Sequence, residues 1–214
     1  YKATLLVELD RDLEELFANL KKEARNKVRK ARKQGVEIVE ISNDRRSLEM
    51  LERVNRETAR RNGMASLSMD SLRKGCWSHY CPHGYSKGFV SRHEGQLVSA
   101  QQAVAYNGIV GLGGVSYTDY SRDNRIYGND LMQWHCIEWG KANGMRIIDI
   151  SGIEPHSNSP KIKAIYDFKA KWGGREVVYG AYEIELPSLR GRVYRSLLRT
   201  VGAKTKELDR RIRG

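Results

Sequence analysis

Residues 127–185 read YGNDLMQWHCIEWGKANGMRIIDISGIEPHSNSPKIKAIYDFKAKWGGREVVYGAYEIE, and the fold turns on this stretch. It divides into helix, strand, loop, helix and a closing strand. The first helix spans about Asn129 to Ala142, with Asn129 or Asp130 as its cap and Gly144 just past its end. Leu131, Met132, Trp134, Ile137 and Trp139 surround most of it, which predicts burial on several sides. RIIDI is a short β-branched run that suits a buried strand ending at Asp149, before a glycine-containing loop. A second helix, about Lys161 to Lys171, carries Tyr166, Phe168 and Lys169 and stops at Gly173-Gly174. The run EVVYGAYEIEL alternates as a strand does.

Upstream, the strands before this stretch form a meander. GFVSRHE, QLVSAQQAVAY and IVGLGGVSY are separated by Glu94-Gly95 and Asn107-Gly108, and Asn-Gly is a strong hairpin signal. The polar run TDYSRDNRIYG then reads as a loop leading to the helix at Asn129. Nearer the start, Ala3 to Glu8 reads as an edge or entry strand. A helix from about Leu13 to Gln34 has Leu13, Leu16, Phe17, Leu20, Ala24, Val28 and Ala31 on one face. Lys22, Arg25, Arg29 and Lys33 lie on the other, either as a solvated face or as a surface for RNA or phosphate. Val36 to Ile41 follows as a strand, then helices at about Arg46 to Asn62 and Met69 to Trp77. After Pro187, a helix at about Leu189 to Thr200 lines up Arg192, Arg195 and Arg199, and the last residues form a charged tail.

The chain has 214 residues and 40% hydrophobic content, enough to bury a core. Its formal charge of +12 favours polyanionic partners or anionic membrane surfaces. Three cysteines are too few and too odd for a disulfide framework and suit a reducing compartment. No apolar run is long enough to span a membrane. The sequence starts at Tyr1 rather than Met, so an upstream piece is expected. P-loop and Ser-His-Asp patterns are absent, and Gly111 to Gly114 sits within a strand, as a bulge or ligand-approach site. Cys76, His79, Cys81 and His83 are zinc-ligand types, but their gaps are too short for the usual arrangement, and no metal site is assigned.

Several of these residues carry a resemblance. Asn129, Leu131 and Trp134, then Ile137-Glu138-Trp139, Gly144, Asp149, Phe168-Lys169, Trp172-Gly173-Gly174 and the run ending Tyr182 resemble the Fem family of peptidoglycan interpeptide-bridge peptidyltransferases. Leu20 to Ile38 resembles that family's basic helix and following strand. The resemblance implies an α/β, GNAT-like fold: a mixed, mainly antiparallel sheet flanked by helices. It implies that residues 1–187 are the C-terminal module of a two-module protein, with an N-terminal module absent, and that 188–214 form a basic helix and tail. The implied activity moves an amino acid from aminoacyl-tRNA to the stem peptide of a lipid-linked or nucleotide-linked peptidoglycan precursor. The setting is the cytoplasm, at or near the inner face of an anionic membrane, and no cofactor is required.

The resemblance also assigns roles. Phe168-Lys169 matches the pair associated with the family's catalytic site. In ester aminolysis an ammonium such as that of Lys169 stabilises the developing oxyanion and the leaving alkoxide. Independently of the resemblance, Asp149, at a strand end facing the loop, is a candidate base for the attacking amine, the alternative being a base from the absent first module. Tyr117 and Tyr120, with Arg73, Trp77 and Asn129, are candidates for substrate contacts, Tyr120 being the better positional match of the two tyrosines. The alternative reading is a CoA- or carrier-dependent N-acyltransferase. Such enzymes grip pyrophosphate through a two-glycine turn at a helix start, whereas RDNRIYGND holds one glycine. A third reading is a non-catalytic RNA-binding module.

Overall fold

The computed structural model describes residues 3–41, 44–64 and 79–180. The chain divides into two units, 1–179 and 180–214, and the sheet and the candidate site belong to the first. The expected helices at Met69–Trp77 and Leu189–Thr200, and the positions of Arg73 and Trp77, lie outside the described residues.

The described strands form one sheet. They are β1 (Ala3–Glu8), β2 (Glu37–Ile41), β3 (Ser86–His93), β4 (Gln96–Tyr106), β5 (Ile109–Leu112), β6 (Ser116–Tyr117), β7 (Ile147–Ile153) and β8 (Arg175–Val178). The helices are α1 (Leu13–Asn19), α2 (Lys22–Lys33), α3 (Arg45–Arg61), α4 (Asp119–Asp123), α5 (Gly128–Ala142) and α6 (Pro160–Ala170). The order across the sheet is β2-β3-β4-β5-β7-β1-β8, with β6 paired to β4. β5 and β7 run parallel, and the other pairings are antiparallel. Both meander turns have the expected chemistry: Glu94-Gly95 and Asn107-Gly108 have positive φ at both positions, as a two-residue hairpin turn requires.

Strand alternation sends alternate residues to two cores. On one face Ala103, Ala105, Val110, Leu112, Ile148 and Ile150 join Ala24, Val28 and Ala31 of α2 and Met132 and Ile137 of α5. On the other face Leu48, Leu51 and Val54 of α3 pack on Ile41, Val90, Leu97 and Ala100. No helix among the described residues is long and apolar enough to cross a membrane.

Four details differ from the sequence expectations. The helix expected from Leu13 to Gln34 is two helices, because Leu20 is extended (φ −63°, ψ 150°) and buried in the core. The break is held from both sides. Lys21 N donates to Lys171 O at 3.0 Å, and the Arg25 guanidinium donates to Ala18 O at 2.5 Å and to Leu20 O. The strand expected to end at Asp149 continues to Ile153, because β1 pairs along its whole length. The polar loop before α5 contains α4, whose first turn is capped by the Thr118 hydroxyl accepting from Ser121 N. The run IVGLGGVSY is split into β5 and β6 at Gly113 to Val115.

Candidate active site

Strand pairing opens the site. β5 and β7 stay paired from Ile109–Ile147 to Gly111–Asp149. Beyond that point the chain after β5 follows β4, with Gly113 N donating to Gln102 O at 3.1 Å. β7 instead follows β1, through Gly152–Thr4 and Ile153–Ala3. The two parallel strands therefore part, and backbone groups on the two lips of the wedge are left without a ladder partner. Ser151 bridges the gap, its hydroxyl donating to Leu112 O. It does so from a left-handed backbone (φ 69°), an uncommon conformation for a residue other than glycine.

Asp149 sits at the apex of the wedge, not at a strand end. Its Oδ1 accepts from the Thr4 hydroxyl and from Ser151 N, the latter at 2.8 Å. Its Oδ2 has no hydrogen bond among the described residues. Lys169 reaches the same place from α6 and donates to Gly152 O at 2.8 Å. Burial lowers the pKa of this lysine, and the nearby charge of Asp149 partly offsets the effect. The structure thus brings together two of the three expected catalytic residues, although they are 20 positions apart in sequence.

Phe168 has a different setting. Its ring packs edge-on against Trp172, with centroids 6.2 Å apart, and the Lys171 ammonium lies 4.2 Å from its centroid. Lys171 also lies 5.5 Å from the Trp172 ring and donates to the Asp130 carboxylate. Lys171 and Asp130 are 4% and 5% exposed, so this is a buried ion pair. Burial lowers the Lys171 pKa, and Asp130 opposes that shift. The sequence reading missed this pair. Its one local sign is a lysine enclosed by aromatic residues in Phe168–Trp172.

A second buried polar group lies under the β5 lip. Gln101 Nε2 donates to Gly113 O at 3.0 Å and to Gln133 Oε1 at 3.2 Å. The Cys136 thiol donates to Gln101 Oε1 at 3.5 Å. Burial pushes the Cys136 thiol pKa up, which makes it a poor nucleophile. Gln101 and Gln133 were also missed, because a lone glutamine in an apolar pattern carries no signal of its partner.

The remaining candidates lie apart from Asp149 and Lys169. Tyr117 is in β6 with the Arg61 guanidinium 3.9 Å over its ring. Tyr120 is in α4, its hydroxyl 2.8 Å from His93 Nδ1. Neither tyrosine bonds to Asp149 or Lys169. Asn129 lies in the first turn of α5, and its buried Oδ1 has no partner. It does not cap the helix, and neither does Asp130. Tyr127 is the N-cap, without a side-chain bond, and the Asp130 carboxylate is turned to Lys171. Cys76 lies outside the described residues. Of its expected neighbours, His79 and His83 are exposed and Cys81 is half-buried. A cavity of about 270 Å³ lies at a different place, lined by Val7, Leu16, Asn19, Trp172 and Arg175 among others, and none of Asp149, Lys169 and Gln133 lines it.

Residues 18–170 match the acetyltransferase (GNAT) domain family. The chain belongs to this GNAT family. No curated protein sequence matches it. Among solved structures it is similar to the crystal structure of FemX, at 14% identity and TM-score 0.75, covering 83% of this chain and 60% of that one. It is also similar to the C-terminal domain of a putative lysylphosphatidylglycerol synthetase from Agrobacterium fabrum, at 11% identity and TM-score 0.61, covering 83% and 58%. An acetyltransferase of the GNAT family from Staphylococcus aureus Mu50 matches at 17% identity and TM-score 0.51, covering 72% and 94%. The chain therefore spans about three-fifths of the length of the first two structures. These likenesses establish the fold: a Fem-like GNAT sheet flanked by helices, as the resemblance implies.

The start of α5 differs from a two-glycine pyrophosphate turn. The one glycine there, Gly128, is needed for packing. A Cβ on it would lie 2.2 Å from Val98 Cγ1 and 2.8 Å from the Ser91 hydroxyl. Asp130 places a carboxylate in the first helical turn, where it already meets the helix dipole. Lys27 and Lys30 lie over the Tyr127 ring, at 5.7 and 4.9 Å. The GNAT start of this chain is thus cationic around its rim but lacks the paired glycines of a close pyrophosphate approach.

Proposed function

We propose that this acyltransferase domain moves an aminoacyl group from aminoacyl-tRNA to an amine on the stem peptide of a peptidoglycan precursor. The observation that carries the reading is the half-buried Lys169 ammonium beside Asp149 at the point where β5 and β7 part. An ester carbonyl held in the wedge would have a cation on one side and a carboxylate at the apex. The stem amine attacks the carbonyl carbon and gives its proton to Asp149 Oδ2. Lys169 stabilises the tetrahedral oxyanion. The C–N bond forms, the ester C–O bond breaks, and the departing ribose oxygen takes the proton back. Phe168 contributes by enclosing Lys171, and Tyr117 and Tyr120 lie on the side of α3 and α4, where a muropeptide could extend. The Fem resemblance adds Arg73 and Trp77 as substrate contacts.

The Fem resemblance adds a first GNAT-like module as partner, action in the cytoplasm at the inner face of the membrane, and no cofactor. The lysines around Tyr127 favour a second reading, a CoA-dependent N-acyltransferase, since they could meet phosphate at the start of α5. The test is a transfer assay with full-length protein, a mixture of charged tRNAs carrying labelled amino acids, and lipid-linked and nucleotide-linked muropeptides. Label appearing on a muropeptide without added CoA is the expected result. No transfer from any charged tRNA, with transfer from acetyl-CoA, would put the second reading first.

A further inference from the structure

We propose that Thr4 and Ser151 are positioning residues for the base: together they hold Asp149 Oδ1 and leave Oδ2 to take the proton of the attacking amine. This rests on the aminoacyl-transfer reading, in which Asp149 is that base.

A bulge in β7 makes the arrangement. Thr4 pairs with Gly152 and Leu6 with Asp149, so Leu5 alone stands opposite both Ile150 and Ser151. An extra residue of this kind bends its strand and re-aims a side chain. Ser151 takes up the bend in its left-handed backbone, φ 69°. For a residue with a Cβ, such a conformation persists only where surrounding contacts hold it. Two contacts do so. The Ser151 amide donates to Asp149 Oδ1 at 2.8 Å, and the Ser151 hydroxyl donates to Leu112 O on the opposite lip. The bulge is thus tied at once to the carboxylate and to β5.

Thr4 supplies the second donor. It is buried in β1, and its hydroxyl meets the same Oδ1. Two donors on one carboxylate oxygen fix the side-chain torsion and occupy the lone pairs of that oxygen. Oδ2 accepts from no described residue, so its lone pairs remain for a proton. The charge facing Asp149 is the Lys169 ammonium on α6. β1 and β5 present Thr4, Leu6 and Gly111 beside it, none of them titratable. Free to turn, the carboxylate would be drawn toward that ammonium, which favours it as an ion pair rather than as a base. Thr4 and the Ser151 amide oppose that turn.

The test uses full-length protein and paired variants that separate positioning from folding. Thr4→Val keeps the shape of the side chain and removes the donor, whereas Thr4→Ser keeps the donor. Thr4→Val should lower kcat about tenfold, the scale of one hydrogen bond to a charged group, with little change in KM. The acid limb of its pH–rate profile should move upward, because a carboxylate stripped of a donor holds its proton to higher pH. Thr4→Ser should restore both. Ser151→Gly and Ser151→Val both lack the hydroxyl, but glycine accepts φ 69° and valine does not. Ser151→Val should lose activity as Thr4→Val does, and Ser151→Gly clearly less. Equal losses in Thr4→Val and Thr4→Ser, or a loss with the acid limb unmoved, would make Thr4 a structural residue only and overturn the proposal. The Ser151 amide signal of 15N-labelled protein gives a readout without substrate. It should shift on acid titration, lose that response in Asp149→Asn and follow it at higher pH in Thr4→Val. A signal indifferent to Asp149→Asn would overturn the proposal whatever the donor. Assays with charged tRNAs and with acetyl-CoA keep the two readings apart. Transfer from charged tRNA at wild-type rate and pH dependence in Thr4→Val would overturn the positioning and leave the proposed function standing. Transfer from acetyl-CoA alone, impaired in Thr4→Val and restored in Thr4→Ser, would keep the positioning and remove tRNA as donor.

Discussion

At the scale of the residue, Lys169 has the most to explain. Burial holds its pKa below the usual lysine value of 10.5, and Asp149 limits the drop. Burial acts against the charged form of Lys169 and the Asp149 carboxylate favours it, and it is the cation that stabilises an oxyanion. Lys169→Met should lower kcat by about 100-fold or more, the size of losing one oxyanion donor. Lys169→Arg keeps the charge and should recover part of that loss. The pH profile separates the roles. An ammonium predicts that activity falls as pH rises through the lowered pKa, and that Lys169→Arg moves this falling limb upward. A lysine acting as a base predicts a rise over the same range, and that outcome would reverse the assignments of Lys169 and Asp149. Stability follows the same shift with a definite sign. Between the lowered folded value and the unfolded value of 10.5, the unfolded chain binds more protons, so stability from this group rises with pH. Urea unfolding of wild type and Lys169→Met across that alkaline window should show the rise diminished in the variant.

At the scale of the element, the question is what holds α6 in register, because no residue of that helix is fully buried. Its apolar contacts come from partly buried Tyr166 and Ala170 and from Phe168 against Trp172. The residue after it, Lys171, is tied to Asp130 in the first turn of α5 and enclosed by Phe168 and Trp172. This pair fixes the end of α6, two residues from Lys169. Removing one partner leaves a buried charge, so Lys171→Met and Asp130→Asn should each cost about 3–5 kcal/mol in denaturant unfolding. The double variant Lys171→Met/Asp130→Asn should lose clearly less than the sum of the singles. Additive losses would show that the two charges do not depend on each other. The same scale shows what the sequence could reveal. α5 was legible because Leu131, Met132, Trp134 and Ile137 surround it, and the meander because Asn107-Gly108 and Glu94-Gly95 set its turns. The wedge was not legible, since it depends on β1 drawing β7 away from β5, a pairing between residues nearly 150 positions apart. The Asp130–Lys171 and Gln101–Gln133 contacts were hidden for the same reason. The break at Leu20 was hidden because Leu20 falls on the apolar face that an unbroken helix would also need. Lys169 became a catalytic candidate through the family resemblance and Asp149 through its place at the end of the run RIIDI, and periodicity alone would not have singled them out.

At the scale of the whole molecule, the +12 charge has to be divided between structure and binding. Much of the α2 charge is already engaged. Arg25 caps the end of α1, Arg32 pairs with Glu138, Lys27 pairs with Glu23, and Arg29 lies over Phe17. Reversing Arg25 would therefore damage the α1–α2 junction, so it is a poor probe of RNA binding. Lys22 and Lys33 are exposed and make no ion pair among the described residues, which makes them better probes. If the domain binds tRNA, affinity should fall steeply as salt rises. Lys22→Glu with Lys33→Glu should then weaken binding and flatten the slope by about one counterion for each phosphate no longer neutralised. Acetyl-CoA should behave differently. Its pyrophosphate would have to approach a helix start whose one glycine is packed against Val98 and whose first turn holds a carboxylate. Calorimetry should give a Kd worse than about 1 mM, which is only about −4 kcal/mol. Micromolar acetyl-CoA binding, abolished when Lys27 and Lys30 are changed to Glu, would show that the rim of lysines around Tyr127 outweighs the missing glycine. Salt-insensitive RNA binding in the same preparation would then leave the basic surface as a solvated face.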